Sequence, residues 1–143
     1  MDILMRKYTL FFLFLLSIRI ASAQDNVWIV ANVTDQGFSL TKTEVRNLFM
    51  SSATSKDYVL DPVALSPGNR IRAVFNAKII ALPESRIQSY WAQMRFSGRQ
   101  TPPVEFSSLD ALISYVSEND GAIGYVPADT VLPENVRIVY RSL

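Results

Sequence analysis

The fold class is decided by the stretch Val63-Ala64-Leu65-Ser66-Pro67-Gly68-Asn69-Arg70-Ile71-Arg72-Ala73-Val74-Phe75, which reads as a strand, a turn and a helix in succession. The extended part begins near Tyr58, and Pro62 within it predicts either an edge strand or a strand that begins late. The residues between Ser66 and Asn69 are typical of a turn. Beyond the turn, apolar residues recur at helical spacing on one face. A strand joined to a helix in this way is the basic unit of an α/β domain.

The alternation of strands and helices continues toward the amino terminus. A continuous apolar run predicts a buried strand at Val27–Val33. The helix after it has a well-marked start, because Thr41 can cap it and Glu44 stands at the third helical position of a capping box. Leu40 and Val45 occupy the two positions of a hydrophobic staple around that cap.

Toward the carboxyl terminus the same alternation predicts four more elements and one loop. Strands interleaved with helices predict an α/β domain with a mostly parallel, twisted sheet that is flanked by helices. The first predicted feature is a helix that begins at Pro83 and has Tyr90 and Trp91 in its apolar core stripe. A loop at Ser97–Pro103 follows, and then a helix with a capping box of Ser107 and Asp110. The last two features are strands at Ala122–Val126 and Val136–Tyr140.

The first 23 residues have the layout of a cleavable secretory signal. Arg6-Lys7 is the positive region, Thr9–Ile18 is the apolar region and Ala21-Ser22-Ala23 is the cleavage site. The apolar region has 10 residues, whereas a helix that spans a bilayer needs about 20. We predict cleavage after Ala23, a single domain over residues 24–143, and a product that is periplasmic or secreted. The absence of cysteine excludes a bacterial lipid anchor at the mature end.

The composition favours a binding protein over an enzyme. The chain contains neither histidine nor cysteine, which excludes disulfides, thiol catalysis, Cys/His zinc sites and a Ser–His–Asp triad. We therefore expect no catalytic residues, no metal and no cofactor. Without the leader's Arg6, Lys7, Arg19 and Asp2, 11 of the 14 basic and 12 of the 13 acidic residues remain. This balance gives no basic surplus for nucleic-acid binding.

The turn after the extended segment is the candidate site, because the start of a helix offers free N–H groups to an anion. The candidate anion-binding residues are Ser66, Gly68, Asn69, Arg70 and Arg72. The alternative interpretation is structural: Ser66 or Asn69 only caps the helix, and Arg72 pairs with Asp57, Asp61 or a carbonyl group. The loop Gly98-Arg99-Gln100-Thr101 is either a second set of donors or a solvated loop.

Four stretches of the chain are informative in combination: Leu40–Phe49, Arg72–Phe75, Tyr90–Arg99 with Pro102-Pro103, and Gly121–Val126. Together they resemble the small, single-lobe branch of the phosphate ABC transporter substrate-binding proteins, which have the type II periplasmic binding protein fold. The resemblance implies export to the periplasm, a single periplasmic-binding-protein-like lobe and phosphate as the ligand. In full-length relatives a Ser-Gly-Thr turn after an arginine holds phosphate between two lobes, and the aligned turn here reads Ser66-Pro67-Gly68-Asn69-Arg70.

Two functions of different classes follow from these observations. The first is a periplasmic module that binds phosphate or a similar anion at the Ser66–Arg72 turn. The second is a protein-interaction or sensor-accessory domain that keeps the fold of one lobe and docks on a membrane transporter, porin or sensor. A single lobe favours the second hypothesis, because the surface that faces another lobe in two-lobed relatives is free for a partner.

Overall fold

The computed structural model describes residues 25–51 and 58–143, so the predicted leader and Asp57 lie outside the described residues. None of the helices within these two ranges is long and apolar enough to cross a membrane. The strands are β1 (Val27–Ala31), β2 (Asp61–Leu65), β3 (Val104–Phe106), β4 (Ala122–Pro127) and β5 (Arg137–Arg141). The helices are α1 (Lys42–Ser51), α2 (Arg70–Phe75) with a π-helical continuation at Asn76–Ile80, α3 (Glu84–Phe96) and α4 (Leu109–Glu118).

The five strands form one sheet in the order β3-β2-β4-β1-β5. β2 is parallel to β3 and β4, whereas β1 is antiparallel to β4 and β5. Four strands therefore run in one direction, which confirms the α/β lobe with a mostly parallel sheet. The reversed direction of β1 was not predicted. Other parts of the protein cover both faces of β1. An apolar run of this kind fits an inner position of a sheet whichever direction the strand runs.

The start of α1 confirms the predicted capping box. The Thr41 N–H donates to Glu44 Oε2 at 2.7 Å, and the Glu44 N–H donates to Thr41 Oγ1 at 3.3 Å. Leu40 and Val45 are both buried beside this cap, as a hydrophobic staple requires. The local sequence is therefore sufficient to fix where this helix begins.

Three local predictions need correction. Pro62 does not mark an edge strand, because β2 lies between β3 and β4; β2 instead begins late, and its pairing with β3 starts only at Val63. The cap of α4 is Ser108 rather than Ser107, since Ser108 Oγ accepts from the Ala111 N–H at 3.2 Å. The short strand β3 was not predicted, because it lies between the predicted loop, which ends at Pro103, and the predicted helix cap at Ser107.

The turn and helix that follow β2 lie at the carboxyl edge of the sheet. The turn residue Ser66 is joined to the end of β3, because its N–H and its Oγ both donate to the Phe106 carbonyl, at 2.9 and 3.2 Å. In open α/β sheets this edge is where ligands bind. The candidate site is therefore held by two strands and not by a free loop.

Candidate functional site

The Ser66–Asn69 turn adopts a left-handed conformation at Gly68, whose φ is +88°. Space around this glycine is open, since an added Cβ would meet no atom within 4 Å. Asn69 is the cap of α2, because its Oδ1 accepts from the Ile71 N–H at 2.9 Å. This part of the structural interpretation is confirmed.

The start of α2 still offers donors after capping. Among the described residues, the backbone N–H groups of Gly68, Arg70 and Arg72 have no hydrogen-bond acceptor. Such groups at a helix start attract negative charge. Gly68, Arg70 and Arg72 line a groove together with Pro83 and Glu84. Four of the five predicted residues lie together at this turn: Ser66, Gly68, Asn69 and Arg70.

Arg70 is the cation nearest the open side of the turn. Its side chain is 75% exposed, and its Nη2 lies 2.8 Å from Asp25 Oδ1. An ion pair this exposed contributes little to stability, typically less than about 1 kcal/mol. The Arg70 guanidinium is therefore free to exchange Asp25 for another anion at small cost.

Arg72 is placed differently, because its side chain is buried and its guanidinium is already engaged by protein groups. Its Nη1 donates to the Leu65 carbonyl at 2.7 Å and to Glu105 Oε1 at 2.9 Å. Its Nε and Nη2 donate to the two oxygens of Glu84, at 3.0 and 2.7 Å. Only the backbone N–H of Arg72 is left for an anion at the turn. The expected carbonyl partner is confirmed, whereas Asp61 instead accepts from the Tyr115 hydroxyl.

Glu84 is the centre of this side-chain cluster. Besides the two bonds from Arg72, it accepts from Asn76 Nδ2 at 2.7 Å and from Gln88 Nε2 at 2.7 Å. Burial raises the pKa of Glu84, but the bonds from Arg72 and Gln88 and the charge of Arg72 outweigh burial, so its pKa is lowered. Burial likewise lowers the pKa of Arg72, and the bonds that Arg72 donates to Glu84 and Glu105 reverse this and raise it. Each charged form therefore stabilises the other.

Tyr125 of β4 contacts the same end of β2. Its hydroxyl oxygen accepts from the Leu65 N–H at 2.9 Å, and its ring stacks on Phe75 with centroids 4.0 Å apart. Burial is the main cause of the raised pKa of this phenol. Both backbone polar groups of Leu65 are thus held, the N–H by Tyr125 and the carbonyl by Arg72. The turn begins at Ser66, directly after this fixed residue.

Sequence reasoning missed Glu84 and Glu105 as partners of Arg72. They are distant in sequence and reach Arg72 only because α3 and β3 pack beside α2. One signal was present: a cation in the first turn of a helix opposes the helix dipole and requires a nearby carboxylate. Within the described ranges, no group of three or more carboxylates could hold a metal ion.

Comparisons with known proteins identify the fold. No family model matches this chain, and no curated protein matches it in sequence. This chain has a fold similar to that of an ABC-type phosphate transport receptor from Vibrio cholerae. The TM-score is 0.58 at 14% identity, over 80% of this chain and 45% of that chain. The fold is that of a substrate-binding-protein lobe.

A second solved structure agrees with this assignment. It is a phosphate ABC transporter substrate-binding protein from Clostridium perfringens with bound phosphate, and the TM-score is 0.57 at 16% identity, over 80% of this chain and 44% of that chain. The lobe thus spans less than half the length of either protein.

Proposed function

We propose that this chain is an exported, periplasmic binding lobe that holds phosphate or a similar oxyanion at the Ser66–Asn69 turn. One observation carries the proposal: among the described residues, three backbone N–H groups without an acceptor lie within residues 68–72, at the carboxyl edge of the sheet. The fold shared with two phosphate-related binding proteins supports it. The lobe acts by binding alone, without catalytic residues, metal, cofactor or nucleic acid.

In this proposal the anion lies on the open side of the turn. The N–H groups of Gly68, Arg70 and Arg72 donate to its oxygens, as they do at other anion-binding helix starts. The Asn69 amide adds a side-chain donor, and the Ser66 hydroxyl can add another only by giving up its bond to the Phe106 carbonyl. Arg70 contributes the positive charge once it releases Asp25. Gly68 is required because its positive φ turns the backbone toward the ligand.

The Arg72 cluster has an opposing effect on affinity. Arg72 is neutralised by Glu84, and Glu105 adds a further negative charge beside the turn. The net charge of this cluster is therefore negative, which repels an oxyanion. Arg70 alone compensates for it, so we expect weak binding that depends strongly on Arg70 and on ionic strength.

Calorimetric thermal unfolding in phosphate, sulfate and chloride at matched ionic strength tests the proposal. A ligand at a hundredfold excess over its Kd stabilises the native state by about 2.7 kcal/mol, so we expect Tm to rise with phosphate. The rise should disappear in Arg70→Gln. It should persist in Gly98→Ala, which changes another positive-φ glycine outside the turn. Equal Tm shifts with all three anions, or none, would contradict phosphate binding.

Export is a separate part of the proposal. Expression with the complete leader in a Gram-negative host, followed by mass spectrometry of the periplasmic fraction, should give a protein that begins at Gln24. A product that retains Met1 and stays with the membranes would contradict the predicted cleavage after Ala23.

The second candidate function is a protein-interaction or sensor-accessory lobe that docks on a membrane transporter or sensor. The observation that favours it is exposed apolar surface, since Phe96 at the end of α3 is 97% exposed. Site-specific photo-crosslinking from the turn in envelope preparations would distinguish the two functions. A crosslink to one membrane protein, together with no Tm shift in phosphate, would favour docking.

A further inference from the structure

Two adjoining pockets lie on the side of the lobe formed by α3 and the segment after it. The first is a cleft of about 50 Å³ with an aromatic and apolar lining that includes Trp91, Pro102 and Pro103. The second, here called the loop pocket, is lined by Arg95, Gly98, Arg99, Gln100 and Thr101. Arg95 belongs to both pockets, so the cleft and the loop pocket share one wall.

The backbone of the loop pocket is held in place. The Gly98 N–H donates to the Arg95 carbonyl at 3.1 Å and the Arg99 N–H donates to the Met94 carbonyl at 3.2 Å, which closes the end of α3. Gln100 Nε2 donates to the Ser51 carbonyl at 2.7 Å and ties the loop to the end of α1. The two arginines therefore project from a fixed frame, which lowers the entropy lost on binding.

The loop pocket carries uncompensated positive charge. Arg95 and Arg99 are exposed, and neither forms an ion pair or a side-chain hydrogen bond within residues 25–51 and 58–143. The carboxylate in the neighbouring cleft, Glu105, is already engaged by Arg72. This differs from the turn, where Arg70 already has Asp25.

Exposed apolar surface adjoins these arginines. Phe96 follows Arg95 and is 97% exposed. Aromatic residues and arginine are the types enriched in the centres of protein interfaces. A free oxyanion would use only the arginines, whereas a peptide would also cover Phe96 and place a side chain in the cleft.

We propose that the cleft and the loop pocket together form a docking site for an acidic segment of a partner protein. An apolar side chain of the segment enters the cleft between Trp91 and the two prolines, and neighbouring carboxylates bind Arg95 and Arg99. This site is separate from the Ser66–Asn69 turn, and the proposal does not depend on phosphate binding there.

Fluorescence anisotropy with a labelled peptide of glutamate and glycine residues around one central leucine tests the site. We expect saturable binding that weakens at least about tenfold in the double variant Arg95→Glu/Arg99→Glu, because both charges become repulsive. Arg86→Glu is the matched control, since Arg86 is exposed on the same helix without an ion pair within the described residues. It should leave affinity within about twofold. Replacing the leucine by serine should weaken binding several-fold.

The alternatives give different results. Undiminished binding by the double variant, with unchanged Tm and circular dichroism, would overturn the proposal, as would no binding by the wild type. An equal loss in Arg86→Glu would mean general electrostatic attraction. Insensitivity to the leucine together with displacement by inorganic phosphate would mean a small-oxyanion site. If binding to anionic phosphatidylglycerol vesicles depended on Arg95 and Arg99 to the same extent, the site would be one that binds a membrane surface.

Discussion

Arg72 illustrates how one side chain can serve the frame of a site without touching its ligand. It joins the end of β2, the start of α3 and the edge strand β3 through Leu65, Glu84 and Glu105. A buried ion cluster contributes modestly to net stability, but removing one member leaves the others without compensation. Variants of Arg72 therefore report on folding, and Arg70 is the side chain to change when binding is measured.

The lowered pKa of Glu84 predicts a pH dependence of stability. Its pKa is lower in the folded than in the unfolded state, so its contribution is complete above the unfolded pKa and is lost as pH falls through the folded pKa. Glu84→Gln should lower the free energy of unfolding near neutral pH, and the difference from wild type should shrink below about pH 4. Urea titrations over a pH series measure this. Glu118→Gln, at the exposed end of α4, should show no comparable trend.

Two glycines with positive φ should differ in their tolerance of alanine. Gly121 has φ +79°, and a Cβ there would lie 2.7 Å from the Val59 carbonyl oxygen. Gly98 has φ +67° with no atom within 4 Å of an added Cβ. Strain at φ alone costs about 1–2 kcal/mol, so Gly98→Ala should lose about that much and Gly121→Ala clearly more. Chemical denaturation of both variants measures the difference; equal losses would show that the Val59 backbone moves freely.

At the scale of elements, prediction succeeded where the determining contacts are local. The cap of α1 was predicted because Thr41 and Glu44 satisfy each other's backbone donors within one turn. The cap of α4 was placed one residue early, because the pattern Ser107-x-x-Asp110 resembles a capping box while Ser108 bonds the Ala111 N–H directly. β3 has no local signal, since Val104, Glu105 and Phe106 become a strand only by pairing with β2.

The competing caps of α4 make a direct test. Ser108→Ala removes the acceptor for the Ala111 N–H and should lower the free energy of unfolding by about 1 kcal/mol. Ser107→Ala should change it by only a few tenths of a kcal/mol. Thermal and urea unfolding of the two variants measure this, and the reverse order would mean that Ser107 is the functional cap.

At the scale of the molecule, the inner strand β1 is paired and buried more completely than the edge strand β3. β1 is paired on both sides and buried, whereas β3 is a three-residue edge strand that is mostly exposed. Sequence reasoning predicted the layered α/β lobe because each strand and helix has its own periodicity. The order of strands and the contacts of Arg72 could not be predicted, because they depend on residues far apart in the chain.

Amide hydrogen exchange followed by NMR should reveal this gradient. We expect the slowest exchange in β1 and β4, whose amides open only with the whole domain, and the fastest strand exchange in β3. Slow exchange throughout β3 in the isolated lobe would show that this edge is covered.

The reversed strand β1, which lies between β4 and β5, also determines when the domain can finish folding. β1 emerges first from the ribosome, yet Val27 pairs with Pro127 and Trp28 with Arg141. Pairings of such long sequence separation form slowly, because a large loop must close before any contact rewards it. The pairing of the first strand must therefore wait until the last of these strands has been synthesised.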